Sequence, residues 1–328
     1  MRAMDPTTTI AHPSSRTLAR LLDAELAFSP SFQGRFSNHL AMALVALDQM
    51  GAPPEVLEAT FRAHASGESE PRDDVADLED RLAEVARDGI EATVRRRLPP
   101  LLEAPGTALF HPAIRLAYGL DAGHEGQVAA ALLDWERRRD VLPVPRPRPG
   151  MRRLPEVAAA LSGHPTATWP RVFDLHGTAR RPELAAALDG LAVDERTLDD
   201  VVSFAIAAHV AADAFVTLHM VTGARALHRI AQVLDPEVAE QLAASAAPAM
   251  AVAFAIAGAP PLPTEQELDA LRTSALPSPD EIAARAVADH DPHVIKLANV
   301  GLVEEVRTGD PLYRFVAARV VGLLRAGR

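Results

Sequence analysis

The chain carries a single lysine, Lys296, in the segment Asp289–Lys296 (Asp-His-Asp-Pro-His-Val-Ile-Lys). The rest of its 33 basic residues are arginine. Arginine stays charged at any working pH, whereas burial can neutralise a lysine amine and turn it into a base or a nucleophile. A neutral amine also adds carbon dioxide to give a carbamate, an anionic oxygen ligand. A composition rich in Ala, Arg and Pro could equally retain one lysine by chance, so the surroundings of Lys296 decide. His293 stands three residues earlier, and on a helix the two side chains leave the same face about one turn apart. It follows Pro292 in a first helical turn, where the helix dipole opposes protonation and keeps the imidazole available to a metal.

Three more of the twelve histidines are predicted to face inward. His39 follows Ser37 and Asn38 at a helix start and is flanked by Leu40, Ala43, Leu44 and Leu47. His111 lies between Phe110 and Pro112. A residue before proline avoids the helical region, so His111 belongs at the entrance of the helix that continues through Ile114 and Leu116. His219 lies in a long, almost uncharged helical stretch, Val201–Leu227, where a buried imidazole needs a partner. Together with Lys296 these four form a candidate metal site, with Lys296 and His293 as the candidate catalytic pair. Satisfied core or capping histidines are the alternative for each. The chain has no cysteine, so any ligands are nitrogen and oxygen, which suits Fe, Mn, Zn, Ni or Cu. His209, on the same predicted long helix as His219, is a candidate to orient the ligands, as are His290 and Asp291. Phe36, Phe110, Phe215 and Tyr118 stand beside the histidines; they read either as core or as an apolar pocket for a flat aromatic ligand. His12, His64, His124 and His164 are predicted to be exposed, and His176 and His228 are left unassigned.

The elements that must position these residues are helical. Strand signals are absent, and Asp-Pro pairs open helices at Asp235, Asp291 and Asp310. Helices are predicted over 15–28, 38–50, 54–65, 76–97, 112–121, 125–139, 154–162, 182–190, 196–233, 236–257, 264–273, 279–289, 292–307 and 311–326. The expected fold is all-α, one large domain over 1–328 built as an irregular helical bundle. Leu142–Arg153, rich in Pro and Arg, is predicted to be a stiff connector or a lid, and Ser66–Asp74 a solvated acidic loop. The arginine runs Arg95–Arg97 and Arg137–Arg139 are predicted to cap helix C-termini.

Composition narrows the function. A net charge of −11 gives no electrostatic case for nucleic acid or an anionic membrane. Met1–Ser15 has no apolar core of a signal peptide, and the Ala-rich, Pro-interrupted stretch Leu242–Leu262 reads as a buried helix, so a cytoplasmic location is expected. No dinucleotide fingerprint, phosphate loop, nucleophile elbow or His-Glu-x-x-His helix occurs.

Four stretches carry a family resemblance: Asn38–Leu44 (Asn-His-Leu-Ala-Met-Ala-Leu), Phe110–Leu120 (Phe-His-Pro-Ala-Ile-Arg-Leu-Ala-Tyr-Gly-Leu), Leu218–Leu227 (Leu-His-Met-Val-Thr-Gly-Ala-Arg-Ala-Leu) and Asp291–Lys296. With Asp310–Tyr313 closing the series, the chain resembles the questin oxidase family, fungal and bacterial enzymes that act on anthraquinone-type polyketides. The resemblance implies an all-helical oxygenase that cleaves a C–C bond of a quinone-type ring with dioxygen. It also implies a mononuclear non-haem iron(II) site ligated by four histidines and a carboxylated lysine. Carried over, those ligands are His39, His111, His219, His293 and Lys296. The chain departs from the family in having Ala41 where proline is expected, and in being shorter than the fungal members. Parts of the family are described as NADPH-dependent Baeyer–Villiger-type oxidases, but no NADPH motif is present. Two further readings stand beside these: a metal-free enzyme using Lys296 with histidine acid–base partners, and a non-catalytic binding protein for an aromatic polyketide. The sequence leaves the oligomeric state open.

Overall fold

A computed structural model describes residues 15–33, 36–67, 69–144, 150–163 and 174–324. In chain order the helices are α1 (Arg16–Glu25), α2 (Leu40–Gln49), α3 (Pro54–Gly67), α4 (Val75–Asp88), α5 (Ile90–Arg97), α6 (His111–Ala122), α7 (Glu125–Arg138), α8 (Leu154–Ser162) and α9 (Leu175–Ala179). They continue with α10 (Pro182–Leu188), α11 (Thr197–Ala211), α12 (Phe215–Ala231), α13 (Pro236–Ile256), α14 (Glu265–Arg272), α15 (Pro279–Val287), α16 (Pro292–Thr308) and α17 (Pro311–Val320). The all-α expectation holds. One continuous apolar core runs from Leu18 in α1 to Val316 in α17. Inside it α2 packs on α6 and α16, and α12 packs on the same two helices, so these four close a ring.

Several predicted boundaries are corrected. The stretch 76–97 is two helices, because Gly89 takes a left-handed φ of 83° between α4 and α5. The stretch 196–233 is also two. Ala212 and Ala214 are extended, and Thr217 Oγ1 accepts from the Ala214 N–H and donates to the Ala212 carbonyl at 2.5 Å, which caps α12 anew. A tertiary-fixed break of this kind leaves no Gly or Pro in the sequence to announce it. Strands are not wholly absent: Ser31–Phe32 (β1) and Phe36–Ser37 (β2) pair antiparallel just before α2. α9 was not predicted.

Other expectations resolve in detail. α13 is the one helix among the described residues long and apolar enough to cross a membrane, and most of it is buried in the core. Asp291 and Asp310 cap their helices through the side chain, whereas Asp235 makes no such bond. The acidic loop is less solvated than predicted, since Arg72 and Asp74 are buried as an ion pair at 2.8 Å. Arg95–Arg97 do end a helix, and Arg96 and Arg97 converge on Glu84. The Arg97 hydrogen bond, with help from Arg96 and Arg81, holds the Glu84 carboxyl down to about 2. Residues 145–149 of the predicted connector lie outside the described residues; its described ends are not helical, and Arg152 bridges to Leu191.

Candidate metal centre

Each of the four helices in the central ring brings one histidine, and each does so near its own N-terminus. His39 is the N-cap of α2, His111 the first residue of α6, His219 the fifth of α12 and His293 the second of α16. Because these side chains meet, the four helix starts lie around one place. The positive ends of four helix dipoles therefore lie close to the site, which disfavours imidazolium and favours an anion.

The four rings close on one another. Neighbouring ring centroids lie 4.9 Å apart for His39–His111, 4.7 Å for His111–His219, 5.4 Å for His219–His293 and 4.5 Å for His293–His39. The diagonal from His39 to His219 is 6.5 Å. One nitrogen from each of His39, His111 and His219 lies within 4.8 Å of the other two, the one such group among the described residues. His293 stands at the rim of this trio.

The hydrogen bonds of the outer nitrogens decide which inner nitrogens carry lone pairs. His111 Nδ1–H donates to the Ala108 carbonyl, His219 Nδ1–H to the Phe215 carbonyl at 2.8 Å, and His293 Nδ1–H to Asp291 Oδ1 at 2.9 Å. A neutral imidazole so bound has its lone pair on Nε2, the arrangement that fixes metal-binding histidines elsewhere. His39 and His111 Nε2 are 2.8 Å apart. Two imidazoles bound cis at about 2.1 Å from one ion would place their nitrogens about 3 Å apart, so the spacing fits coordination. Without an ion, the His39 Nε2–H donates to His111. Among the described residues, neither the buried His219 Nε2 nor Lys296 Nζ has a hydrogen-bond partner.

Lys296 is fully buried one turn after His293. Burial pushes its amine down to about 7, with Asp291 opposing and Arg115 assisting. Burial also holds the imidazoles neutral. His219 falls to about 3, with Lys296 adding to the effect, and His39 and His111 are lowered for the same leading reason. These residues fit a metal: unprotonated nitrogen donors, one unspent buried lone pair and an amine poised to be uncharged.

The supports are specific. Ala108, Leu109 and Phe110 all have left-handed φ values of 48°, 55° and 69°. That turn delivers the Ala108 carbonyl to His111. Each non-glycine residue held there costs about 1–2 kcal/mol, which the packing around it must offset. Phe110 is buried against Gly223 of α12, where a Cβ would lie 2.6 Å from its Cγ. Arg115, one turn after His111, donates to the Asn38 carbonyl at 2.9 Å and pairs with buried Glu25 at 3.2 Å. Asn38 in turn accepts from the Leu40 N–H at 2.9 Å, so His39 is clamped on both sides.

The remaining candidates divide. Phe215 packs its ring 4.4 Å from His219 and 5.2 Å from His293, yet is 48% exposed, so it lines the open side of the site. Phe36 is also exposed and packs its ring, tilted, 5.4 Å from that of Phe32. Phe110 and Tyr118 are core; the Tyr118 hydroxyl donates to Asn299 Oδ1 at 3.1 Å. His209, on α11 and not on the helix of His219, donates to Thr217 Oγ1 at 3.0 Å and so ties down the start of α12. Asp291 both caps α16 and orients His293. His290 is exposed and makes no polar or ring contact among the described residues. His64, predicted to be exposed, is buried, and His124 is partly buried as the N-cap of α7. His12 and His164 lie outside the described residues. His176 pairs with Asp140 at 2.6 Å, and His228 meets Arg307 at 3.3 Å, both away from the four rings. Arg115 and Gly223 carry no mark of their roles in the sequence beyond falling one turn from a candidate ligand, which is the available signal.

No protein-family model matches the chain, and no curated protein matches it. The functional reading therefore rests on this geometry and on the stretches quoted above.

Proposed function

We propose that the chain is a cytoplasmic, metal-dependent oxygenase that uses dioxygen to cleave a C–C bond of an aromatic polyketide of the anthraquinone type. The observation that carries this reading is the convergence of His39, His111 and His219, one nitrogen of each within 4.8 Å of the other two, with His111 and His219 spending Nδ1–H on backbone carbonyls so that their lone pairs sit on Nε2. His39, His111, His219 and His293 would hold the ion, iron(II) by the resemblance, with Lys296 beneath them. Bound there, a redox-active metal supplies one-electron chemistry with dioxygen. Lys296 is suited to carboxylation, because a fully buried amine with no hydrogen-bond partner among the described residues is most stable uncharged. Addition of carbon dioxide to that amine releases one proton and places an anion where four helix N-termini favour one. His219 and Lys296 form a fully buried floor, and His39, His293 and Phe215 are the more exposed residues, the side from which a flat substrate would approach.

A second reading has its own support. The same unpartnered amine near 7 is a competent general base without any metal. Metal analysis after anaerobic purification or reconstitution separates the two. About one iron per chain, lost in His219→Ala with the helical spectrum unchanged, is the expected result. A protein that binds no divalent metal yet turns over substrate would overturn the metal reading.

A further inference from the structure

Arg138 ends α7 beside the histidines. Its Nη1 and Nη2 each lie 3.5 Å from Ser37 Oγ, and Nη1 lies 3.5 Å from Asp134 Oδ1. These are its polar partners among the described residues, and they are long: guanidinium–carboxylate bonds run about 2.7–2.9 Å. Neighbouring arginines are better satisfied, Arg72 by Asp74 at 2.8 Å and Arg115 by the Asn38 carbonyl at 2.9 Å. Arg138 thus keeps a planar fork of donors largely unspent, with 23% of its side chain open to solvent. Ser37 precedes His39 by two residues and the guanidinium charge reaches His111, so the fork lies on the His39–His111 side of the four rings. Its charge contributes to keeping His111 neutral. On the opposite edge, the exposed Phe215 ring packs on His219 and His293. One flank of the open side is therefore a cationic fork and the other an aromatic face.

We propose that Arg138 recognises an ionised oxygen, phenolate or carboxylate, of an aromatic ligand whose ring lies towards Phe215. The proposal rests on the reading of this centre as a site for aromatic substrates. It makes ligand charge a determinant of specificity: a neutral ring of equal size leaves the guanidinium with only its long contacts. A purely structural role, as the last residue of α7 pairing with Asp134, predicts an effect on stability and none on the choice between ligands.

The test compares 2-naphthoate with 2-naphthamide, which share a ring and differ in charge, by fluorescence titration of the full chain. Both iron-loaded and chelator-treated protein are titrated. The wild type is expected to prefer the carboxylate by about tenfold or more, the size of one charge-assisted hydrogen bond. Arg138→Gln is expected to abolish that preference by weakening naphthoate alone, and Arg138→Lys to keep part of it. Binding of neither probe, equal binding of both by the wild type, or a preference that survives Arg138→Gln overturns the proposal. The last outcome would put the carboxylate on the histidines themselves. Should Arg138→Gln fail to fold, the wild-type comparison and the lysine variant still decide. Metal content is read separately in each sample, so a charge preference in a chain that takes up no metal would sink the oxygenase reading and leave this one standing.

Discussion

Replacing Lys296 by methionine should stabilise the metal-free protein while abolishing its capacity to bind metal. The lysine amine falls from 10.5 to about 7 on burial. The native state therefore binds fewer protons than the unfolded chain, and stability rises with pH across that interval. At pH 7 the unfolded lysine is charged and the native one about half so. The resulting penalty, RT ln[(1 + 10^3.5)/2], is about 4 kcal/mol relative to a side chain that does not titrate. Methionine is similar in length, and imperfect packing should return no more than about 1.5 kcal/mol. The expected net gain is about 3 kcal/mol at pH 7. Urea unfolding of both proteins in chelator and carbon-dioxide-free buffer measures it. The gap should be full below pH 7 and close as pH approaches 10.5. A methionine variant less stable than the wild type at pH 7, or a gap that stays constant between pH 7 and 10, would refute the reasoning, because either would mean that the native amine keeps its charge.

Gly223→Ala puts a methyl 2.6 Å from Phe110 Cγ and should cost about 1–3 kcal/mol in urea unfolding. Because Phe110 precedes His111, the same variant should also bind metal more weakly in competition with a chelator; unchanged affinity would show that the turn and the ligand move independently. Ala108→Gly removes one left-handed alanine and should raise stability by about 0.5–1 kcal/mol after the added freedom of the unfolded chain is counted. His209 and His228 are each lowered from 6.5 to about 4, chiefly by burial. Native protein therefore binds fewer protons, and each should remove about 1.4 kcal/mol per pH unit as pH falls from 6.5 to 4. His228→Gln should flatten that slope by one such increment, and an unchanged slope would place the charge-state change elsewhere.

Residue type and local spacing carried the helices and most of the convergent side chains. His39, His111 and His293 each sit at a helix start marked by Asn or Pro, and a marked start fixes the direction in which the next few side chains leave. His219 was placed on a helix that does not exist as predicted. The 212–214 break is made by Thr217 and its contacts with Ala212, Ala214 and His209, none of which is a local stop signal. The short hairpin before α2 leaves no signal in the sequence, because two-residue strands have no period to read. Arg138 was read as a helix-terminal charge, a role it fills; only the fold brings Ser37 and His111 to it. Local chemistry thus announced the donors, and tertiary pairing chose their supports.

The left-handed run at Ala108–Phe110 bears on the order of assembly. An unfolded chain almost never visits three successive left-handed non-glycine residues, so the turn cannot form ahead of the packing that holds it. Phe110 must dock on Gly223, and hence α6 on α12, before the Ala108 carbonyl can fix the proton of His111. The candidate ligand set is then a product of folding and not its nucleus. Zinc-finger-type modules, by contrast, fold on their metal. A chain built this way should reach its native core without any ion and take up the proposed one afterwards, from the more exposed side of His39, His293 and Phe215.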